Sequence, residues 1–152
     1  MITHGMTYEQ HEVGAKYETL RRTVGDADIS TFVNLCGFTE PLFMDMDYVA
    51  KESVFKGRPA PGAFTFCLSE GLIMQTGMIH GTGMSYLGSE IRIVAPVLAG
   101  DTLGVTVTIT DKRETKKPDR GIVTYKHDVI NQRGELVLEG TVRRMIKRDA
   151  RA

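Results

Sequence analysis

Apolar and polar residues alternate most cleanly late in the chain. Leu103, Val105, Val107 and Ile109 occupy every second position between Thr102 and Thr110, with threonines at most of the positions between. That period of two predicts a strand with one buried face. Ile122 to Ile130 and Glu135 to Ile146 carry on the pattern, and Tyr86 to Val94 reads as a strand ahead of them. The polar turns Lys116–Arg120 and Asn131–Gly134 join the last three strands as hairpins. Earlier, the period changes. Ile29, Phe32, Val33 and Cys36 recur at i, i+3, i+4 and i+7, which predicts a helix with Asp26 or Asp28 as its cap and Gly37 as its stop. Residues 63–76, AFTFCLSEGLIMQT, are apolar nearly all round and predict a helix buried on every side, ended by Gly77. Tyr17 to Val24 reads as a first strand with weak alternation.

Between the helices the pattern fails. Pro41, Gly57, Pro59, Pro61 and Gly62 break up residues 38–62, leaving room for short turns near Pro41–Phe43 and Asp47–Lys51. Met1 to Glu12 is polar and aperiodic, and reads as a loosely ordered arm. One buried helix followed by a run of antiparallel strands implies an α+β domain, its sheet wrapped on the helix. The 152 residues suffice for one such domain (1–152, with the arm at 1–12) and for a core that needs no disulfide or metal.

Charge narrows the function classes. Nineteen basic side chains balance nineteen acidic ones, which argues against nucleic-acid binding by bulk charge. No apolar run reaches membrane-spanning length, and the first residues lack the pattern of a signal peptide, so a cytoplasmic location and no membrane partner are expected. Cys36 and Cys67 lie in apolar stretches and read as small core residues in a reducing compartment. His4, His11, His80 and His127 show no ligand spacing, so no metal is expected, and each reads as a packed or surface histidine.

From Gly57 to Leu103 the chain reads GRPAPG, then the apolar helix, then YLGSEIRIVAPVLAGDTL. This stretch resembles the MaoC-like hydratases, a family of hot-dog folds. Its members carry a Gly-Arg-x-Ala-His-Gly loop before the central helix and a Pro-Val-x-x-Gly-Asp-x-Leu turn before the long strands. Here that turn is Pro96 to Leu103. The resemblance implies acyl thioesters of coenzyme A or acyl carrier protein as ligands, with no cofactor beyond the coenzyme A of the substrate. It implies reversible addition of water to an enoyl-CoA. It also implies a ligand site between two hot-dog units, hence a homodimer or an assembly of dimers. In the family motif Gly-Asp-x-Asn-Pro-x-His, a carboxylate and an imidazole share one water, one taking and one delivering a proton. Amides at the start of the central helix polarise the thioester oxygen.

This chain reads Gly37-Phe38-Thr39-Glu40-Pro41-Leu42-Phe43. Phe38 stands where the family has Asp, Glu40 where it has Asn, and Phe43 where it has His. Pro61 replaces the loop His, and Gly62 remains. The expected site is therefore the Gly62 amide, with Pro61, Phe38 and Phe43 beside it. Two carboxylates are candidates for chemistry. Glu40, if held between Phe38 and Phe43, would be desolvated and its pKa raised. Glu70 lies in the middle of the central helix, where some hot-dog thioesterases place a carboxylate. Three readings follow: a hydratase or dehydratase with substitute acid–base groups, a thioesterase using Glu70, and a non-catalytic acyl-thioester binder or partner subunit. Lys116, Lys117 and Arg120 read as a solvated hairpin tip or a contact for coenzyme A phosphates. Met44, Met46, Met74, Met78 and Met84 suit a core or an acyl tunnel.

Overall fold

The computed structural model describes residues 4–149. Short strands β1 (Lys16–Glu18) and β2 (Arg22–Thr23) lead into helix α1 (Asp26–Cys36). Helices α2 (Pro41–Met44) and α3 (Met46–Glu52) fall within the Pro/Gly-broken stretch, where short turns are predicted. The central helix α4 (Gly62–Gln75) follows. Strands β3 (Gly83–Ile93), β4 (Thr102–Glu114), β5 (Arg120–Ile130) and β6 (Leu136–Lys147) complete the chain. The sheet order is β1-β4-β5-β6-β3, antiparallel throughout, with β2 also pairing β4.

The alternation predicted for β4 holds. Leu103, Val105, Val107 and Ile109 are buried, and so are Val123, Tyr125 and Val129 on β5 and Leu138, Val142 and Ile146 on β6. These side chains line the concave face of the sheet. From α4, Phe64, Thr65, Ser69, Leu72 and Ile73 are buried, and Ile29 and Val33 of α1 join the same core. Full burial of an aliphatic side chain such as Leu72 or Ile73 contributes about 1.5–3 kcal/mol relative to exposure.

Several expectations are corrected. Helix α4 is not buried all round: Ala63, Cys67, Met74 and Gln75 are exposed, because the sheet of one chain covers only one flank. Cys36 and Cys67 are accordingly free and exposed rather than core thiols. The single strand expected at 17–24 is two, for regular pairing with β4 stops after Glu18 and resumes at Arg22, although the Thr19 N–H still donates to the Val105 carbonyl at 3.0 Å. The N-cap of α1 is Gly25, not an aspartate. Asp28 instead reaches back to accept the Gly25 N–H at 2.8 Å and pairs with Arg22 at 2.6 Å. Gly37 stops α1 as expected, at φ 73°.

The N-terminal arm is not loose over its described part, 4–12; Met1 to Thr3 lie outside the described residues. Met6 N–H donates to the Met78 carbonyl and Tyr8 N–H to that of Lys147, both at 2.8 Å. The Tyr8 ring lies against β5, where a Cβ at Gly121 would come within 2.3 Å of it. Lys112 and Arg148 stand over that ring, at 4.4 and 4.9 Å from its centre. His11 is buried, with Nε2 2.7 Å from the Tyr125 hydroxyl and Nδ1 2.8 Å from the Thr7 carbonyl. The segment's few apolar side chains thus serve to close the end of the sheet, a role with no periodicity to reveal it.

Candidate functional site

Pro61 caps α4 with extended backbone, and its carbonyl accepts the Thr65 N–H at 3.2 Å. The amides of Gly62, Ala63 and Phe64 precede that first intrahelical bond and lie at the positive end of the helix. Such amides suit a carbonyl oxygen that gains negative charge. A Cβ at Gly62 would meet Ile93 Cγ1 at 3.0 Å, so the end of β3 leaves little room beside the amide.

The loop before α4 is held by residues that sequence reasoning did not single out. Arg58 is 15% exposed. It donates to the Asp26 carbonyl (3.0 Å), Ser30 Oγ (2.7 Å) and the Phe43 carbonyl (3.3 Å). One guanidinium thus ties the loop to α1 and α2. Ala60 N–H bonds to the Val97 carbonyl and Ala99 N–H to that of Arg58, at 2.8 and 2.9 Å. Asp101 locks the following turn by accepting from Leu98 N–H (2.9 Å) and Gln132 Nε2 (2.8 Å), with Arg133 at 3.4 Å. Burial works to raise its pKa, but these bonds and the Arg133 charge prevail, and the carboxyl sits below its ordinary value. The signal for both residues lay in the Gly-Arg loop and the Gly-Asp turn.

Phe38 and Phe43 form part of a chain of rings. Phe32 meets Phe64 at 5.6 Å and Phe38 at 5.5 Å, both edge-on, and Phe38 lies 6.2 Å from Phe43. Phe64 is two residues from Gly62, so this chain forms an aromatic wall at the start of α4. Neither ring can take or give a proton. Glu40 is not held between them, since they face each other. It is exposed just before Pro41, its carbonyl accepting the Phe43 N–H at 2.9 Å.

Glu70 is neither a free nucleophile nor solvent-facing. Arg144 of β6 grips both its oxygens, Nη1 to Oε2 at 2.7 Å and Nη2 to Oε1 at 2.5 Å, with 13% and 5% of the two side chains exposed. His127 Nδ1 lies 3.7 Å from Oε1. Its ring is fully buried, and neither nitrogen has a hydrogen-bond partner among the described residues. Burial lowers its pKa to about 4, against the pull of Glu70 and with the help of Arg144, so the imidazole is neutral at pH 7. Arg144 was legible in principle, for it falls in phase with Leu138, Val142 and Ile146.

His4 and His80 are exposed. Lys116 and Lys117 are also exposed, and Arg120 pairs with Asp119 at 2.8 Å. This tip lies at the opposite end of the sheet from Gly62: β5 places Gly121 beside Ile146, whereas Ile93 aligns with Leu138. Of the methionines, Met78 is in the core, while Met44, Met46, Met74 and Met84 are exposed. Among the described residues no cluster of three or more His, Cys, Asp or Glu could hold a metal ion. No helix among them is long and apolar enough to cross a membrane.

Comparison with known proteins agrees with this geometry. The family profile described as FAS1-like, dehydratase domain region matches residues 11–140. The chain belongs to the MaoC-like hydratase/dehydratase family. Within that family, an (R)-specific enoyl-CoA hydratase of Rhodospirillum rubrum is 32% identical over 130 residues, covering 84% of this chain and 83% of that protein. The solved MaoC-like dehydratase from R. rubrum superposes with a TM-score of 0.84 at 31% identity, over 95% of this chain and 99% of that one. An Archaeoglobus structure described as a monoamine oxidase regulatory protein gives 0.89, also at 31%, over 98% and 99%. The antiparallel sheet around α4 is the hot-dog fold.

Proposed function

We propose that this MaoC-like chain is a hydratase/dehydratase-type protein for acyl thioesters of coenzyme A or an acyl carrier protein, seating the thioester carbonyl on the Gly62 amide. The start of α4 carries the reading: a helix N-terminus whose first amides precede the intrahelical ladder, bounded by Ile93, in a chain similar to an enoyl-CoA hydratase. As water adds to an enoyl thioester, charge builds on the carbonyl oxygen, and the Gly62 N–H with the helix end behind it stabilises that charge. Phe38 and Phe43 then shape the apolar side of the pocket. Glu40 is the carboxylate of the 37–43 segment that remains to move a proton. Coenzyme A enters as part of the substrate, with no further cofactor.

A second reading has its own support. The ring chain fills both acid–base positions and Glu40 stands exposed, which favours a non-catalytic acyl-thioester binder or partner subunit. The thioesterase reading is weakened, because both oxygens of Glu70 are engaged.

Crotonyl-CoA and longer enoyl thioesters, incubated with the protein, test the choice when enoyl absorbance and free thiol are followed in the same samples. Loss of absorbance without thiol is the expected result. Calorimetric binding with neither change would select the binder, and thiol release the thioesterase. No binding of any thioester would remove the Gly62 site.

A further inference from the structure

The side of α4 that meets Ile93 at Gly62 runs on beside β3, and the residues along it change character. On β3, Ile93, Ile91, Ser89 and Tyr86 pair with Leu138, Gly140, Val142 and Arg144, the inward residues of β6, so they face α4. Ile91 and Ile93 are 41% and 46% exposed, an apolar floor left uncovered. Gly62, Phe66 and Glu70 recur at i, i+4 and i+8, which places them on one face of α4. About 12 Å along α4 from Gly62, at eight residues' rise, stands Glu70. About 13 Å along β3 from Ile93, at four residues' rise, stands Ser89. The Ser89 and Tyr86 hydroxyls hydrogen-bond to each other. Arg144, gripped by Glu70, is the strand partner of Tyr86, and its Nε is buried without a partner among the described residues.

Resting on the thioester reading of Gly62, we propose that Tyr86, Ser89, Glu70 and Arg144 form a polar stop that selects short acyl chains. A short chain ends over Ile93, Ile91 and Phe66. A longer one must lay methylenes on two hydroxyls and an ion pair, stripping their remaining water and giving no hydrogen bond in return. Beside these groups lies an open depression of about 420 Å³, lined by Met74, Ile79 and Met84 together with Tyr86 and Arg144.

Calorimetric titration of the full chain with free coenzyme A, butyryl-CoA, hexanoyl-CoA and decanoyl-CoA tests this. The variants are Tyr86→Phe with Ser89→Ala, both at an exposed hydrogen bond, and Glu70→Leu with Arg144→Leu, an apolar exchange of both ion partners that buried pairs commonly tolerate. Wild type should bind hexanoyl-CoA more tightly than butyryl-CoA, and decanoyl-CoA about ten-fold more weakly than hexanoyl-CoA. Each folded double variant should recover the decanoyl affinity and leave the butyryl affinity unchanged. Decanoyl-CoA as the tightest wild-type ligand, or a chain-length ratio unmoved in the hydroxyl variant, would overturn the stop alone. Acyl-CoA binding no tighter than free coenzyme A would overturn the Gly62 reading and the stop with it.

Discussion

A β-carbon at position 62 would lie 3.0 and 3.1 Å from Cγ1 and Cδ1 of Ile93, tight but at the end of a side chain that can shift. Gly62→Val should therefore fold, since valine is tolerated in a first helical turn, yet its two methyls would occupy the approach to the amide. We expect the variant to melt within a few degrees of wild type and to lose acyl-CoA binding by about ten-fold or more in calorimetry. A folded variant that binds as wild type does would move the site elsewhere. Gly62 was legible because a loop motif and a helix start coincide there. The surroundings of Glu40 were not: a run of Phe, Glu and Phe says that rings are near in sequence, but ring packing sends Phe38 toward Phe32 and Phe43 toward Phe38, and leaves the carboxylate outside. Glu70 was read as a lone helix charge, because its partner lies 74 residues away on β6.

At the scale of elements, α4 is joined to the sheet by apolar packing and by a polar contact, Glu70 with Arg144 and the neighbouring His127. Predicting α4 was straightforward, and its immersion was not, because an all-apolar helix looks the same whether its second flank meets its own chain or another. The strands were more legible, since a period of two states which face is buried; the break between β1 and β2 escaped it, and so did the start of β3 at Gly83. The burial of His127 beside that contact makes the stability of the fold depend on pH. His127 stays neutral in the folded chain down to about pH 4, whereas the unfolded chain takes up its proton near 6.5. The unfolded state thus binds more protons in that window, and stability falls as pH drops from 6.5 toward 4, by roughly 3 kcal/mol in all. His11, its pKa lowered first by burial, acts in the same direction. His127→Leu removes both the titration and two nitrogens unpartnered among the described residues. Urea midpoints at pH 7 and pH 5 should show a smaller drop for the variant than for wild type. Equal drops would mean that His127 does not govern the acid sensitivity.

For the whole molecule, the open surfaces share one side. Among the described residues strand β3 pairs only with β6, and among them its other edge offers unpaired backbone along 11 residues, a template for another strand. Tyr86, Leu87, Ile91, Ile93 and Val94 are exposed on or beside it, and the bare flank of α4 adds Ala63, Cys67 and Met74. A second copy is the economical cover, because two identical edges meeting about a two-fold axis satisfy each other at once. It would also cover the side of α4 that runs beside β3, and so complete the site that one chain leaves open. Sizing with light scattering should give a dimer. Leu87 is 43% exposed and outside the core, so Leu87→Lys should leave the fold intact while placing two like charges at the joined edge. We expect that variant to run as a monomer with an unchanged circular dichroism spectrum and to lose acyl-CoA affinity along with its partner. A wild-type monomer would refute the assembly outright. A monomeric variant that keeps full affinity would show that one hot-dog unit holds the thioester alone, with that side of α4 covered by nothing but its own ligand.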